Sequence, residues 1–346
     1  MSTPISLPHL TFTKMRLPVT STGWMGLQNP PALPFEPEER AYSLEEVTSI
    51  RGMRLLDWDG IPAPVVDGER YVIALLGGKP NDPHWVADVA TPAAKLMQEA
   101  ADDLYVGESL GKFAHRRGEF HNEKIGCSMG GGQESPCNFV NTLLTTIVLT
   151  GLLATRPFQR IVGFTNSIFK VFQPDLHAYY YKTLDALKTW DPRIQLNFPL
   201  LTSVFAAVTL NFGPCTVTFP HIDFGNLAWG WCCVTALGDF DPNKGGHLIL
   251  WDLMLVIRFP PGTSIFLPSA VARHSNTSIQ QGETRFSFAQ YTAAGMFRFV
   301  NNDFRTEKAV AESDLTDEEK RQRVEERKRR WLEGLKMYRT WDVAYE

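Results

Sequence analysis

The sequence predicts an α+β fold: helices first, then a double-stranded β-helix (jelly-roll) core that they buttress, then a C-terminal helix. Three observations carry this: helical patterns before residue 190, seven short strand-like runs after Asn197, and a charged helical repeat after Glu307.

A chain of 346 residues with 44% hydrophobic content can bury a large core. Residues 1 to about 40 are rich in proline, including Pro30-Pro31, Pro34 and Pro37, and read as an extended arm lying on the fold. The runs Met53–Trp58 and Arg70–Leu76, separated by the turn signals Asp59-Gly60 and Asp67-Gly68, predict a hairpin. Residues 91–110 read as a helix with Thr91 as N-cap, Pro92 in the first turn, and Leu96, Ala100 and Leu104 at four-residue spacing. Ile125–Gln133 is a strand-sized run ending in glycines, which lack the spacing and lysine of a phosphate loop. Nucleotide binding there is excluded on that ground. The segment 139–190 reads as two helices, Val140–Leu153, apolar all round and expected to be buried, and Asp175–Leu187.

The strand-like runs are Val204–Leu210, Cys215–Phe219, Trp231–Ala236, His247–Trp251, Leu253–Arg258, Thr263–Leu267 and Arg285–Tyr291. Seven short strands punctuated by turn residues predict an antiparallel sandwich or barrel, with a jelly roll as the closure. After Glu307, Thr316 and Glu319 form a capping box. Val324, Trp331, Leu335, Tyr338 and Trp341 then make one stripe expected to pack on the core. The organisation is an arm, hairpin and helix over 1–105, a jelly-roll core over 106–305 and an amphipathic helix over 306–346, all in one structural unit.

The five cysteines (Cys127, Cys137, Cys215, Cys232, Cys233) are odd in number and lack zinc spacing, so neither a disulfide framework nor a structural zinc is expected. No charged segment precedes an apolar run at the N-terminus, and no stretch approaches the roughly 20 apolar residues of a membrane span. An intracellular protein free of membrane is the expectation, with no obligate protein partner. A net charge of −4 gives no global attraction to a polyanion. Local basic candidates are His115-Arg116-Arg117 and the run from Lys320 to Arg330, whose interleaved glutamates mark a solvated helix face.

The chemistry centres on His221-Ile222-Asp223. Residues i and i+2 of a strand point the same way, so His221 and Asp223 can serve one centre. The third ligand must return from a distant strand, and His274 stands 51 residues after Asp223, about the length of a crossing and return in a jelly roll. Two imidazoles and one carboxylate on one face of Fe(II) leave positions open for a bidentate cosubstrate and O2. Arg285 begins the last strand-like run, and its planar fork suits the far carboxylate of 2-oxoglutarate, with Ser287 on the same face. Each part also has an ordinary reading. A lone His-x-Asp arises by chance, His274 fits a turn, Arg285 fits a pair with Glu283, His247 fits a plain strand, and Asn226 fits an Asx turn. The ordered set is far rarer than its members and favours the iron site.

From about His115 to Asn302 the chain resembles the fungal branch of the TET/JBP dioxygenases, enzymes that oxidise modified DNA bases with Fe(II) and 2-oxoglutarate. The matching motifs are His115-Arg116-Arg117-Gly118, the segment Ser128–Asn138, Asn211-Phe212-Gly213-Pro214, His221-Ile222-Asp223 with Asn226, Gly245-Gly246-His247, His274-Ser275-Asn276 and Arg285-Phe286-Ser287-Phe288. The resemblance implies that His221, Asp223 and His274 hold iron. It implies that Arg285 and Ser287 hold the distal carboxylate of 2-oxoglutarate, and that His247 contacts its other end. It also implies that Asn226 reads a flipped base, that Arg116 and Arg117 hold phosphates, and that Asn138 lies in a substrate segment. Cys137 departs from the pattern, since fungal relatives carry glycine there. The implied partner is methylated DNA in the nucleus. The implied reaction is oxidation of 5-methylcytosine to 5-hydroxymethylcytosine and further, or demethylation of N6-methyladenine. A 2-oxoglutarate-dependent hydroxylase of a small molecule or protein side chain is the alternative.

Overall fold

The computed structural model describes residues 3–15, 17–33, 36–106 and 114–341. Pro34, within the expected arm, and the termini and 107–113 stretch of the expected organisation lie outside those residues. The first strands are β1 (Ile5–Leu7), β2 (Arg54–Leu56), β3 (Ala63–Asp67) and β4 (Val72–Gly78), followed by α1 (Thr91–Leu104). A small hairpin of β5 (Ala114–His115) and β6 (Gly118–Glu119) leads into β7 (His121–Ser128) and β8 (Cys137–Asn138). Three helices follow, α2 (Leu143–Ala154), α3 (Arg156–Phe172) and α4 (Pro174–Trp190). The remaining strands are β9 (Ala207–Phe212), β10 (Cys232–Asp239), β11 (Leu248–Leu250), β12 (Leu255–Ile257), β13 (Ser264–Leu267), β14 (His274–Asn276) and β15 (Thr284–Tyr291). The chain closes with α5 (Ala294–Asn301), α6 (Glu307–Ala311) and α7 (Asp317–Leu335).

Two facing sheets make the jelly roll. One contains β13-β10-β15-β9, extended by β7 and β8 on one side and by β4, β3 and β1 on the other. The second runs β14-β11-β12-β2, and the segment at His221 bridges to β14 to complete it. Successive side chains of β15 face opposite ways. Phe286 and Phe288 point outward into a cluster with Met97 of α1, Leu149 of α2 and Phe158 of α3. Burying each such ring contributes about 1.5–3 kcal/mol. That outer packing fixes the strand's inner face, which carries Arg285 and Ser287.

The helices therefore buttress the large sheet from outside, as expected. Other local expectations are corrected. The two runs read as one hairpin separate, β2 joining β12 in the second sheet while β4 pairs with β3 and β13 in the first. Pro64 had hidden β3, since proline within a run argues against a strand, although here all five residues are buried. Thr91 is not a cap, because helical backbone already runs through Val86–Ala90 before it. Between the two expected helices stands α3, opened by Pro157 in its first turn. The helix expected to be buried, α2, leaves Leu143, Leu144 and Ile147 exposed. No helix among the described residues is long and apolar enough to cross a membrane.

The arm and the C-terminal helix both brace the loop after Asp223. Gly26 N donates to Phe224 O at 3.0 Å and Ala228 N to Trp24 O at 2.9 Å. The capping box at Thr316 and Glu319 forms as expected, with both arms present. The stripe packs from Trp331 onward, with Trp331 against Phe12 and Leu335, Tyr338 and Trp341 buried, while Val324 is exposed. Gly334 sits directly on the Trp229 indole, where a Cβ would collide with the ring. Gly334→Val should therefore overpack the junction and destabilise the protein by about 1–3 kcal/mol. A thermal denaturation midpoint equal to that of the unmodified chain would contradict this.

Candidate metal centre and its cavity

The centre begins with a backbone pair. His221 N donates to His274 O at 3.0 Å, and His274 N donates to His221 O at 2.9 Å. Directly opposed residues of an antiparallel pair place their side chains on one face, and the two ring centroids lie 4.3 Å apart. His221 Nδ1 lies 2.7 Å from Phe219 O, and His274 Nδ1 lies 2.9 Å from Ala272 O. A carbonyl only accepts, so both rings carry their proton on Nδ1 and turn the Nε2 lone pair toward the centre. Asp223 is anchored by its amide, which donates to Ser269 O at 2.8 Å. Its Oδ1 and Oδ2 lie 3.9 Å and 3.8 Å from Nε2 of His221 and His274 respectively.

The three donor atoms lie within 4.8 Å of one another, the one such metal-competent cluster among the described residues. Burial pushes His221 down to about 3, and the neighbouring His274 and Arg117 act the same way. Burial pushes the Asp223 carboxyl up, but the imidazoles and the Arg117 and Arg116 guanidiniums outweigh it and hold it below its ordinary value. A neutral imidazole and an ionised carboxylate are the forms that bind a cation.

Arg285, Ser287, Ala289 and Tyr291 occupy alternate, inward positions of β15. Arg285 is 1% exposed, donates Nη1 to Thr216 O at 2.6 Å, and leaves its Nε without a partner. The Phe240 and Phe259 rings lie 5.8 Å and 5.9 Å from its Cζ. Burial lowers the guanidinium to about 10, and among the described residues no carboxylate contributes to holding its charge. A buried cation without a counter-ion costs several kcal/mol, so this pocket suits an anionic ligand. Ser287 stands opposite Asn211, whose Nδ2 donates to Ser287 Oγ at 2.9 Å and whose Oδ1 has no partner.

A cavity of about 410 Å³ opens beside Asp223. Of the residues singled out in the sequence, it brings Arg116, Arg117 and Asn226 to the centre. The two arginines ride the turn between β5 and β6. Arg117 Nη1 lies 3.8 Å from Asp223 Oδ1, and Arg116 Nη2 donates to Ile222 O at 3.3 Å. Asn226 Nδ2 donates to Ser269 Oγ at 3.1 Å.

Two expected residues stay away. His247 shares the outer face of its sheet with Ile249 and Trp251, which pack in a separate cluster from the inward Leu248 and Leu250. There its Nδ1 meets Thr277 Oγ1 at 3.1 Å, and burial lowers the ring to about 4. That face does not bring it to the triad. Asn138 is likewise kept away, because both ends of its amide bond the backbone of Gln195, at 2.6 Å and 2.9 Å, in a different cleft. Lys124 and Tyr291 line the cavity and were missed. The inward position of Tyr291, four residues beyond Ser287, was legible from strand alternation, whereas Lys124 depended on knowing that β7 joins this sheet.

No protein-family model matches the chain, and no curated protein matches it. Among solved structures it is similar to NgTET1 in complex with 5mC DNA, at 12% identity and TM-score 0.38, over 72% of this chain and 88% of that one. It is similar to an oxidoreductase of the 2OG-Fe(II) oxygenase family from Burkholderia pseudomallei, at 18% identity and TM-score 0.32, over 59% and 82%. A third is the viral collagen prolyl hydroxylase from Paramecium Bursaria Chlorella virus-1 in its 2OG complex, at 17% identity and TM-score 0.21, over 25% and 57%. Likeness at these scores does not bear on function; the side chains do. Those side chains are a two-histidine one-carboxylate triad able to hold a metal ion and, on the inner face of β15, a buried arginine without an ion-pair partner among the described residues.

His177, His221 and His247 are buried, and burial pushes them down to about 4, 3 and 4. The unfolded chain takes up these protons near pH 6.5 and the folded chain does not, so stability is full above that pH and falls as pH drops toward 4. Thermal midpoints of metal-free protein should decline from pH 7 to 5. A level midpoint would show that the rings protonate in place.

Proposed function

We propose that the protein is an Fe(II)- and 2-oxoglutarate-dependent dioxygenase that oxidises the methyl group of a methylated DNA base flipped into the cavity. The observation that carries the dioxygenase reading is the His221, Asp223 and His274 cluster in a fold whose β15 holds, on its inner face, Arg285, a buried cation with an unpartnered Nε. His221, Asp223 and His274 would hold the iron. Arg285 and Ser287 would hold the far carboxylate of 2-oxoglutarate. Bound there, iron with 2-oxoglutarate and O2 supplies the oxidising power and yields succinate and CO2.

The chain's own part is placement and exclusion of water. A base stacked in a duplex cannot reach a centre at the base of a cavity, so the reading requires extrusion of the nucleotide. The Tyr291 and Phe224 rings on the cavity wall would flank the base, Asn226 would meet its edge, and Arg116 and Arg117 in the same lining would take phosphates. With 5-methylcytosine the hydroxymethyl product persists for further oxidation. With N6-methyladenine it sheds formaldehyde. The net charge of −4 favours the second reading, hydroxylation of a small molecule or protein side chain on the same centre.

Succinate release should rise with duplex DNA carrying 5-methylcytosine or N6-methyladenine and not with unmethylated duplex, and nucleoside mass spectrometry should identify the product. Indifference to every nucleic acid would sink the base-oxidase reading. Asp223→Ala should reduce Fe(II) affinity and lower turnover by at least about 100-fold, given the cost typical of removing a metal contact. Arg285→Ala should raise the KM for 2-oxoglutarate by about 10- to 100-fold, since it removes a charge-assisted bond. A metal affinity unchanged in the first variant, or a KM unchanged in the second, would remove the corresponding assignment.

A further inference from the structure

Three cations line the cavity beside Asp223, and their charges are not matched there. Arg116 and Arg117 come from the turn between β5 and β6, and Lys124 comes from β7. The cavity's lining holds one carboxylate, Asp223, which is already committed as a metal donor. Arg117 has that same carboxylate as its ion-pair partner, at 3.8 Å. Arg116 spends its guanidinium on the Ile222 carbonyl and on the Phe224 ring, 5.9 Å from Cζ. Among the described residues no carboxylate lies within ion-pair distance of Lys124, although Glu123 and Asp223 act on it from farther away. The whole chain carries a net charge of −4, so this gathering of positive charge is local.

Strand register gives the lysine its place. Lys124 is opposite Thr209, Thr209 opposite Ala289, and Ala289 opposite Val234, so these four form one row across the inner face, and all four line the cavity. The next row is Asn122, Asn211, Ser287 and Ala236, which leads to the pocket of Arg285. Two residues along a strand span about 6.6–6.8 Å. Lys124 thus stands one row from Ser287, on the side away from Arg285 and within the lining of the cavity. Partial burial, then the charge of Arg117, lowers its ammonium below the ordinary value, although Asp223 and Glu123 pull the other way.

We propose that Lys124 is a specificity-determining residue that, together with Arg117, grips an anionic group of the substrate, a phosphate, within the metal cavity. The identification of that phosphate as part of a DNA strand rests on the base-oxidase reading; the anion subsite does not. A free nucleotide and a phosphodiester share the chemistry, and the test separates them.

The protein is loaded with Fe(II) and 2-oxoglutarate without O2, and its affinity is measured by fluorescence anisotropy for a duplex carrying 5-methylcytosine. Lys124→Ala should weaken binding about tenfold and lower the slope of log affinity against log salt by about one, with Lys124→Arg restoring both. An unchanged thermal midpoint checks that the variant folds. In parallel, calorimetry compares 5-methyldeoxycytidine with its 5′-monophosphate as ligands. Binding of the monophosphate by the unmodified protein, lost in Lys124→Ala and absent for the nucleoside, supports the subsite even if the duplex does not bind, and in that case the DNA reading alone falls. Equal affinities of Lys124→Ala and the unmodified protein for both probes overturn the proposal, as does failure of the unmodified protein to bind either one.

Discussion

Two backbone hydrogen bonds between His221 and His274 join residues 53 positions apart and bring both imidazoles to one face. Every other feature of the centre is arranged around that bridge. Each ring donates Nδ1 to a carbonyl two residues before it, which fixes the tautomer and leaves Nε2 free. Asp223 follows on the same segment, and its amide is held by Ser269. No long side chain needs to be ordered to assemble this triad. The sheet edge does it, and the entropy is lost with the strands rather than at the site.

The large sheet separates the two demands on the chain. On its outer face Phe286, Phe288, Leu237 and Val208 supply burial against the helices. On its inner face Arg285, Ser287 and Asn211 remain polar, and two of these three keep an atom without a partner. An unpaired buried guanidinium is unfavourable for folding, and the aromatic packing behind the same strand offsets it. The N-terminal arm and α7 complete the support, the arm bonding to the loop of Phe224 and Ala228 and Gly334 resting on Trp229. Segments far from the centre in sequence thus limit how the metal loop can move.

Charge is distributed with similar economy. The protein is acidic as a whole, yet the cavity beside Asp223 gathers Arg116, Arg117 and Lys124. The basic run of α7, in contrast, is paired along the helix, as Lys328 with Glu325 and Lys320 with Asp317, and reaches Glu307 through Arg327. The solvated-face reading fits Lys320, Arg321, Lys328 and Arg329, whereas Arg323, Arg327 and Arg330 dock on Asn302, Glu307 and the arm at Thr22 and Trp24.

Strand alternation is a local rule, and whatever depends on it was legible. The i, i+2 spacing places His221 with Asp223 and Arg285 with Ser287 without knowledge of any neighbour. The capping box at Thr316 and the strand-rich character between Asn197 and Tyr291 are local for the same reason. What the sequence could not decide was which face of a strand turns inward and which strand lies beside it. His247 has the motif of a site residue but sits on the outer side of its sheet, and Asn138 is claimed by Gln195. Lys124 carries no motif, and it reaches the cavity only because β7 pairs with β9 in a register set by packing of the whole sheet. The sequence by itself determined the donor set and its internal spacing. Only the tertiary structure chose the partners around it, because strand pairing over long separations is decided by burial of both faces at once and leaves no periodic trace in either strand.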